Sequence, residues 1–240
     1  MYTIEKYDFL PFLFWVFCME LTVVADSVEF INAFKKIEKF LSCSYRNFDC
    51  IPYVHFCVEG DYLCILASRK VTFIYIKVKV RSLEDVKFNI SVPEFRKWFR
   101  TFDKTVVGDM KISVSEDLIS FTIQDTCAVF SNNKYDLWDS KRYAKCLRKG
   151  LGNEYVKQEF TYQDLALKKG QNLYLHVKDG KINRINDDTF KVGYYFYDGN
   201  VMRCMLSLLG RYNKIKMYLC SYYCMLRSEN VWIVISTMKP

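Results

Sequence analysis

The sequence predicts an α+β fold of two domains, each built from two units that run strand, helix and then a meander of strands. The first observation is composition, because aromatic residues make up 17% of the 240 residues while Gly and Pro number only 9 and 4. Such a composition suits pleated, half-buried strands. The second is periodicity, since short runs that alternate apolar and polar residues are separated by a few segments with helical spacing. The third is the recurrence of this order along the chain, which indicates an internal repeat.

Residues 19–138 are predicted to form the first domain. Met19 to Ala25 alternates as a strand does, and Asp26-Ser27 can cap the helix that follows to Leu41. That helix places apolar residues on one face and lysines on the other. Pro93 opens a second helix that extends to Phe102. The remaining predicted strands of the domain are 51–58, 62–66, 71–80, 87–91, 110–114, 118–123 and 127–130, with Glu59-Gly60-Asp61 as a hairpin turn.

A basic linker over residues 139–153 separates this domain from a second, shortened domain over residues 154–240. In the second domain Asn200 is predicted to cap a helix that ends at Tyr212. A short helix is predicted over 162–169, and strands over 157–161, 172–178, 181–186, 190–197, 214–220, 223–227 and 231–237. The third unit of the chain, residues 157–199, is shorter than the other three.

Residues 1–18 form an apolar leader with two open interpretations. The run from Phe9 to Cys18 is too short to span a bilayer, and it lacks the basic start and the small-residue cleavage site of a signal peptide. Translation could therefore begin at Met19. Alternatively, the leader is an aromatic peptide that docks on this protein or on a neighbour. We expect a cytoplasmic protein that does not associate with membranes.

Catalysis and metal binding find little support in the residue types. The ten cysteines include no CxxC pair, and the chain has only two histidines. The cysteines are predicted to be buried free thiols in a reducing compartment, among them Cys57, Cys64, Cys127, Cys204 and Cys220. His55 lies in an apolar strand, and no nucleotide-binding or hydrolase motif occurs. We therefore expect no enzyme activity, no metal and no cofactor.

The charge pattern suggests a polyanionic partner. The net charge is +8, and the outward faces of the predicted helices repeat one sign of charge. Basic side chains that neutralise phosphates release counterions from DNA, and a protein that must slide contacts phosphates rather than base edges. The alternative is an ordinary solvated helix face. The candidate DNA-binding residues are Lys35, Lys36, Lys39, Arg96, Lys97, Arg100, Lys168, Lys169, Arg203 and Arg211.

Four segments carry a resemblance to a known family. They read MELTVVADSVEFINAFKKIEKFLS from residue 19, VEGDYLCILASRKVTFIYIKV from 58, FNISVPEFRKWF from 88 and MLRSENVWIVISTMKP from 225. In these segments the chain resembles the DNA sliding clamps, the family of the bacterial DNA polymerase III β subunit and proliferating cell nuclear antigen. The resemblance implies the DNA-clamp fold, with antiparallel sheets outside and helices on one face. Two departures are the short third unit and the basic net charge.

The same resemblance implies a function and partners. A clamp acts as a processivity factor without chemistry of its own, and its partners are double-stranded DNA, a DNA polymerase and, in some systems, a clamp loader. Two domains per chain favour a homotrimeric ring, closed by residues 118–130 of one subunit against 190–197 of the next. An open monomer or dimer on DNA, and a clamp-fold interaction scaffold without a DNA role, are the alternatives. The implied partner groove involves Tyr135, Leu137, Trp138, Met238 and Pro240.

Overall fold

The computed structural model describes residues 21–42, 50–69, 72–82, 85–134, 156–185, 194–211, 214–220 and 223–236. In the first domain the elements are β1 (Leu21–Asp26), α1 (Ser27–Ser42), β2 (Cys50–Glu59), β3 (Tyr62–Arg69), β4 (Thr72–Ser82), β5 (Lys87–Ser91), α2 (Val92–Thr101), β6 (Asp109–Val114), β7 (Leu118–Ile123) and β8 (Thr126–Ser131). In the second they are β9 (Val156–Phe160), α3 (Tyr162–Leu165), β10 (Leu173–Lys178), β11 (Lys181–Ile185), β12 (Tyr194–Tyr197), α4 (Gly199–Leu209), β13 (Ile215–Leu219), β14 (Tyr223–Ser228) and β15 (Val231–Ser236).

The two domains repeat one strand pairing scheme. In the first domain β8, β7, β6, β1 and β4 lie side by side, and β4 continues through β3 and β2 to β5. In the second domain β15, β14, β13 and β9 form the equivalent row, and β11, β10 and β12 form a separate three-stranded sheet. The pairs β9–β13 and β10–β12 correspond to β1–β6 and β2–β5. Among the described residues, the third unit has no counterpart of β4.

Backbone hydrogen bonds join the two domains through β4 and β15. These strands pair antiparallel, with Val231 opposite Ile76 and Ile235 opposite Thr72. The turn before β15 extends the junction, because the amide of Lys77 donates to the Asn230 carbonyl at 2.9 Å and the Asn230 side chain donates to the Lys77 carbonyl at 2.8 Å. Helices α1 and α4 also contact each other beside this seam. The junction therefore fixes one domain against the other through main-chain groups as well as through side chains.

An aromatic cluster holds both helices of the first domain to their sheets. Phe34 of α1 is fully buried, and its ring stacks on that of Phe95 from α2 at 4.9 Å. It also contacts the rings of Phe56 on β2 and Phe121 on β7, at 5.8 and 6.0 Å. Such ring contacts add stability beyond the area they bury. One residue thus connects two helices and two strands.

Local capping explains where α2 and α3 begin. The Ser91 hydroxyl accepts a hydrogen bond from the Glu94 amide, and Pro93 occupies the first turn of α2. Thr161 and Asp164 form a reciprocal capping box at the start of α3. This helix ends at Leu165 instead of residue 169. The Arg184 guanidinium on β11 donates to the carbonyls of Asp164 and Ala166, at 3.0 and 2.9 Å.

The fourth helix and the cysteines differ from the sequence prediction. Asp198, not Asn200, caps α4, because its carboxylate accepts from the amides of Asn200 and Val201. The helix ends at Leu209, before Gly210. Cys204 is disulfide-bonded, Cys127 is exposed and Cys220 is only half-buried, so the prediction of buried free thiols was wrong for these three. The leader, the linker and residues 190–193 of the predicted strand 190–197 lie outside the described residues.

Candidate nucleic-acid interface

Three helices form a continuous row on one side of the sheets. Their buried residues belong to the same core as alternate residues of the sheet, whereas a second apolar cluster occupies the opposite sheet face. Helix α2 contacts α1 through Arg96 and Glu38, and α1 contacts α4 across the domain junction. The far side of α4 contacts the loop 166–172, where the Arg203 guanidinium donates to the Lys168 carbonyl at 2.6 Å. We define the helix surface as the exposed residues of α1, α2, α4 and this loop.

Glycine at residue 199 permits the close contact between α4 and the loop 166–172. A Cβ atom added there would lie 1.6 Å from the Gln171 carbonyl oxygen, far inside any allowed contact. The Gly199 amide also donates to the Asn172 side chain at 3.0 Å. The first turn of α4 therefore packs directly against the loop backbone. This contact determines where Lys168 and Lys169, two of the candidate DNA-binding residues, lie relative to the row of helices.

Helix α1 contributes two exposed lysines to the helix surface. Lys35 and Lys39 are exposed and lie four residues apart, so they project from one stripe of the helix. Lys36 is half-buried, and burial lowers its pKa, while the nearby Glu229 carboxylate acts in the opposite direction. Since Glu229 lies in the turn before β15, Lys36 is part of the domain junction rather than of the open surface.

Helix α2 presents Lys97 and Arg100 to solvent, three residues apart. Arg96 is engaged with α1 instead. Its guanidinium lies 3.4 Å from the Glu38 carboxylate and donates to the Ser42 hydroxyl at 2.7 Å. Arg96 therefore holds the two helices together and neutralises Glu38, which would otherwise oppose a phosphate close to Lys35 and Lys39.

The second domain presents fewer cations. Lys168 and Lys169 are exposed in the loop, and Arg211 is exposed just beyond α4. The Arg203 guanidinium is held by the Asn200 side chain as well as by the Lys168 carbonyl. Among the residues of α4 itself only Asn200 is exposed. The exposed positive charge of the helices is therefore concentrated on the first domain.

Lys104 is a basic residue of this region that the sequence prediction missed. Its ammonium lies 4.9 Å from the centroid of the Phe99 ring and 3.5 Å from the Phe102 carbonyl oxygen. The residue follows the end of α2, where cations are favoured by the helix dipole. Its proximity in sequence to Arg100 was the signal that could have identified it.

The histidine and cysteine side chains described next are buried within the sheets. His55 is fully buried, and its Nδ1 lies 2.6 Å from the Asn89 side-chain oxygen. Burial raises the pKa of Cys57 to about 12 and that of Cys64 to about 11, so both thiols are protonated at neutral pH. Within the described ranges no group of His, Cys, Asp and Glu side chains could hold a metal ion.

The predicted partner groove and the absence of a membrane span were two further expectations from the sequence. The predicted partner-groove residues Tyr135, Leu137, Trp138, Met238 and Pro240 all lie outside the described residues. No helix in the part of the chain that the structure describes is long and apolar enough to cross a membrane.

The fold is similar to solved structures of bacterial DNA sliding clamps. The DNA polymerase III β subunit of Borrelia burgdorferi matches with a TM-score of 0.65 at 11% identity, covering 91% of this chain and 65% of that one. The same subunit of Pseudomonas aeruginosa gives 0.66 at 8%, over 91% of this chain and 65% of the other. That of Thermotoga maritima gives 0.62 at 10%, over 92% and 65%. No protein-family model matches the sequence, and no curated protein matches it significantly.

These comparisons confirm the predicted fold class. The chain has the DNA sliding-clamp fold, an α+β architecture of antiparallel sheets with helices on one side. It spans 65% of the length of these clamps. At 8–11% identity the likeness concerns the fold, so the chemistry of the helix surface has to carry any functional statement.

Proposed function

We propose that this protein is a processivity factor that holds duplex DNA against its helix surface through phosphate contacts and carries out no chemistry on the DNA. Lys35, Lys39, Lys97 and Arg100 are the proposed central contacts. Lys104, Lys168, Lys169 and Arg211 are proposed as peripheral ones. Lys36, Arg96 and Arg203, which the sequence suggested as direct contacts, are proposed to position the helices instead.

One observation carries the proposal: four exposed cations lie in two stripes on adjacent helices of a clamp fold. The i, i+4 spacing on α1 and the i, i+3 spacing on α2 each place two charges on one side of a helix. Such rows match a line of phosphates and require no base-edge readout. The pairing of Glu38 with Arg96 supports it, because this carboxylate of α1 is neutralised by a neighbouring guanidinium.

The proposed partners are double-stranded DNA and a DNA polymerase, with a clamp loader if the protein closes into a ring. The homotrimeric ring remains a prediction, as does its closure by residues 118–130 against 190–197 of the next subunit. The partner groove around Tyr135, Leu137, Trp138, Met238 and Pro240 also remains a prediction. An open form that grips DNA without closure is the alternative. It is suggested by the third unit, residues 157–199, which is shorter in sequence than the other units.

A retention experiment tests the function. The protein is loaded on nicked circular and on linear duplex DNA of equal length, and the bound fraction is followed over time. Polymerase run length is measured in parallel. Longer runs and slower loss from the circle are expected for a closed clamp, whereas longer runs with equal loss indicate the open form.

A charge-reversed variant serves as the control in both assays. Replacing Lys35, Lys39, Lys97 and Arg100 with Glu should abolish retention and the gain in run length. If the variant keeps both, the protein is an interaction scaffold that does not grip DNA through its helix surface, and the proposal fails.

A further inference from the structure

The three-stranded sheet of the second domain has an outer face that is rich in aromatic residues. Its inner face contributes Leu173, Leu175 and Ile182 to the core that supports the helices. Because side chains alternate along a strand, the residues between these three point the other way. We define the aromatic face as the outward residues Tyr174, His176 and Lys178 on β10, Lys181, Asn183 and Ile185 on β11, and Tyr194 and Phe196 on β12.

Four rings on the aromatic face form two cross-strand pairs. Tyr174 lies directly opposite Phe196, and their ring centroids are 5.2 Å apart. His176 lies directly opposite Tyr194, also with centroids 5.2 Å apart. Residues two apart on a strand are separated by about 6.6 Å, so the two pairs lie side by side. Three of the rings are half-buried and keep part of their surface open, whereas Tyr174 is 8% exposed.

Two lysines lie at one end of the aromatic face. Lys178 and Lys181 are directly opposite each other across the hairpin turn, next to the pair of His176 and Tyr194. Both lysines are exposed, and in the described part of the chain neither forms an ion pair. The turn between them carries one carboxylate, Asp179, so positive charge exceeds negative charge at this end.

Aromatic rings beside cations on an open sheet face suit a single-stranded nucleic acid. Every base has a π face that can stack on an aromatic side chain, and lysines beside the rings neutralise phosphates. Sheet modules that recognise single-stranded RNA stack two or three bases on outward aromatic residues in this way. A duplex keeps its bases inside the helix, so it cannot stack on the rings. An acidic peptide would meet the lysines but would offer the rings no bases.

We propose that the aromatic face binds a single-stranded nucleic acid, with bases stacked on its two ring pairs and a phosphate beside Lys178 and Lys181. The face lies on the opposite side of its sheet from the core that supports the helices, so this site is separate from the helix surface. The inference therefore goes beyond the proposed grip on duplex DNA. A template passes from single strand to duplex as it is copied, and a protein with both surfaces can hold the two forms on either side of that junction.

Ring substitutions test the stacking. Binding of labelled oligo(dT) is measured by fluorescence anisotropy, with oligo(rU) in parallel to identify which kind of strand binds more tightly. Tyr194→Leu and Phe196→Leu remove a ring but keep an apolar side chain, so each should weaken binding by about 5-fold or more. Tyr194→Phe keeps the ring and should bind as the parent does. The matched control is Tyr62→Leu, because Tyr62 is 43% exposed and lies beside Lys77 on the other sheet.

Two results would overturn the proposal. One is that the parent binds neither strand. The other is that Tyr194→Leu lowers Tm without weakening binding, because the ring pairs would then serve only to stabilise the sheet. A variant that fails to fold is recognised by circular dichroism, and the lysine variant described next leaves the rings intact.

The double variant of Lys178→Gln and Lys181→Gln tests the phosphate contact. For single strands the slope of log K against log salt is about −0.7 per phosphate neutralised, so two contacts account for about 1.4 of the slope. The variant should lose that part of the slope with oligo(dT) and keep the slope of the parent with duplex DNA. An unchanged slope with oligo(dT) would count against the proposed phosphate position.

A comparison with the helix surface separates this proposal from the proposed function. Replacing Lys35, Lys39, Lys97 and Arg100 with Gln should weaken duplex binding and retain most of the affinity for oligo(dT). If this variant loses oligo(dT) binding altogether, single strands occupy the helix surface and the proposal for the aromatic face fails. If duplex binding is unaffected by the variant, the proposed function fails while the aromatic face can still bind single strands.

Discussion

Neutralising the helix surface should change the salt dependence of DNA binding by a predictable amount. The change replaces Lys35, Lys39, Lys97 and Arg100 with Gln, four exposed residues on the outward stripes of α1 and α2. For duplex DNA the slope of log K against log salt is about −0.9 per phosphate neutralised, so four contacts account for a slope of about −3.6. The variant should lose that part of the slope. Between 50 and 200 mM salt, this corresponds to about 150-fold of affinity change that the parent shows and the variant does not.

The assay is fluorescence anisotropy with a labelled duplex at several salt concentrations, with circular dichroism to verify folding. A matched variant replaces Lys79, Lys111, Lys157 and Lys216, four exposed lysines on the sheet face opposite the helices, so it loses the same net charge. Its slope should remain close to that of the parent. If both variants lose the same slope, DNA senses only the net charge of +8, and the reasoning from the helix surface is refuted.

Three further predictions concern stability and reactivity. Phe34→Ala removes the ring that contacts two helices and two strands, and it should lower the free energy of unfolding in urea by about 3–5 kcal/mol. Val28→Ala, at a site that is 45% exposed, should lower it by less than about 0.5 kcal/mol. Equal losses for the two variants would contradict the packing described. Gly199→Ala must displace the loop at Gln171 and should therefore lower Tm. Gly60→Asn is the control and should leave Tm unchanged, because residue 60 lies in a turn with no atom within 4 Å of an added Cβ. An unchanged Tm for Gly199→Ala would refute the close approach of α4 to the loop. Brief iodoacetamide treatment at pH 8 should alkylate exposed Cys127 and spare Cys57 and Cys64, as measured by peptide mass spectrometry. Burial raises the pKa of Cys57 to about 12 and that of Cys64 to about 11, so both thiols are almost entirely protonated. Rapid alkylation of Cys57 or Cys64 in the folded protein would count against their burial.

The sequence predicted several elements of the first domain closely because these elements have one buried and one exposed face. The strand 118–123 and the helix around Phe95 and Phe99 show clear periods, and the structure places them within one or two residues. In the third unit β9 and α3 are short and half-exposed, so their periods carry less information. The cap at Asp198 was missed because the close approach at Gly199 starts α4 earlier than the apolar pattern does.

The direction of a basic side chain was predictable, but its partner was not. Helical spacing correctly placed Arg96 and Arg203 off the core face. Their partners come from α1 and from the loop 166–172, which are distant in sequence, so only the folded chain reveals that a terminal nitrogen of each guanidinium group makes a contact. The pairing of β4 with β15 is of the same kind, since no local pattern records which edge a strand will meet.

The low identity to known clamps is consistent with the way this fold is specified. Alternation of buried and exposed positions determines which faces pack, and many apolar residues satisfy a given buried position. The exposed faces are not constrained by packing, so two chains can share the scaffold and differ entirely on the surface that meets a partner. In this chain that surface is uneven. In the first domain the exposed cations of the helix surface lie on α1 and α2, whereas in the second domain they lie beside α4, at Lys168, Lys169 and Arg211. The same scaffold therefore carries its positive charge on helices in one domain and on the segments that flank a helix in the other.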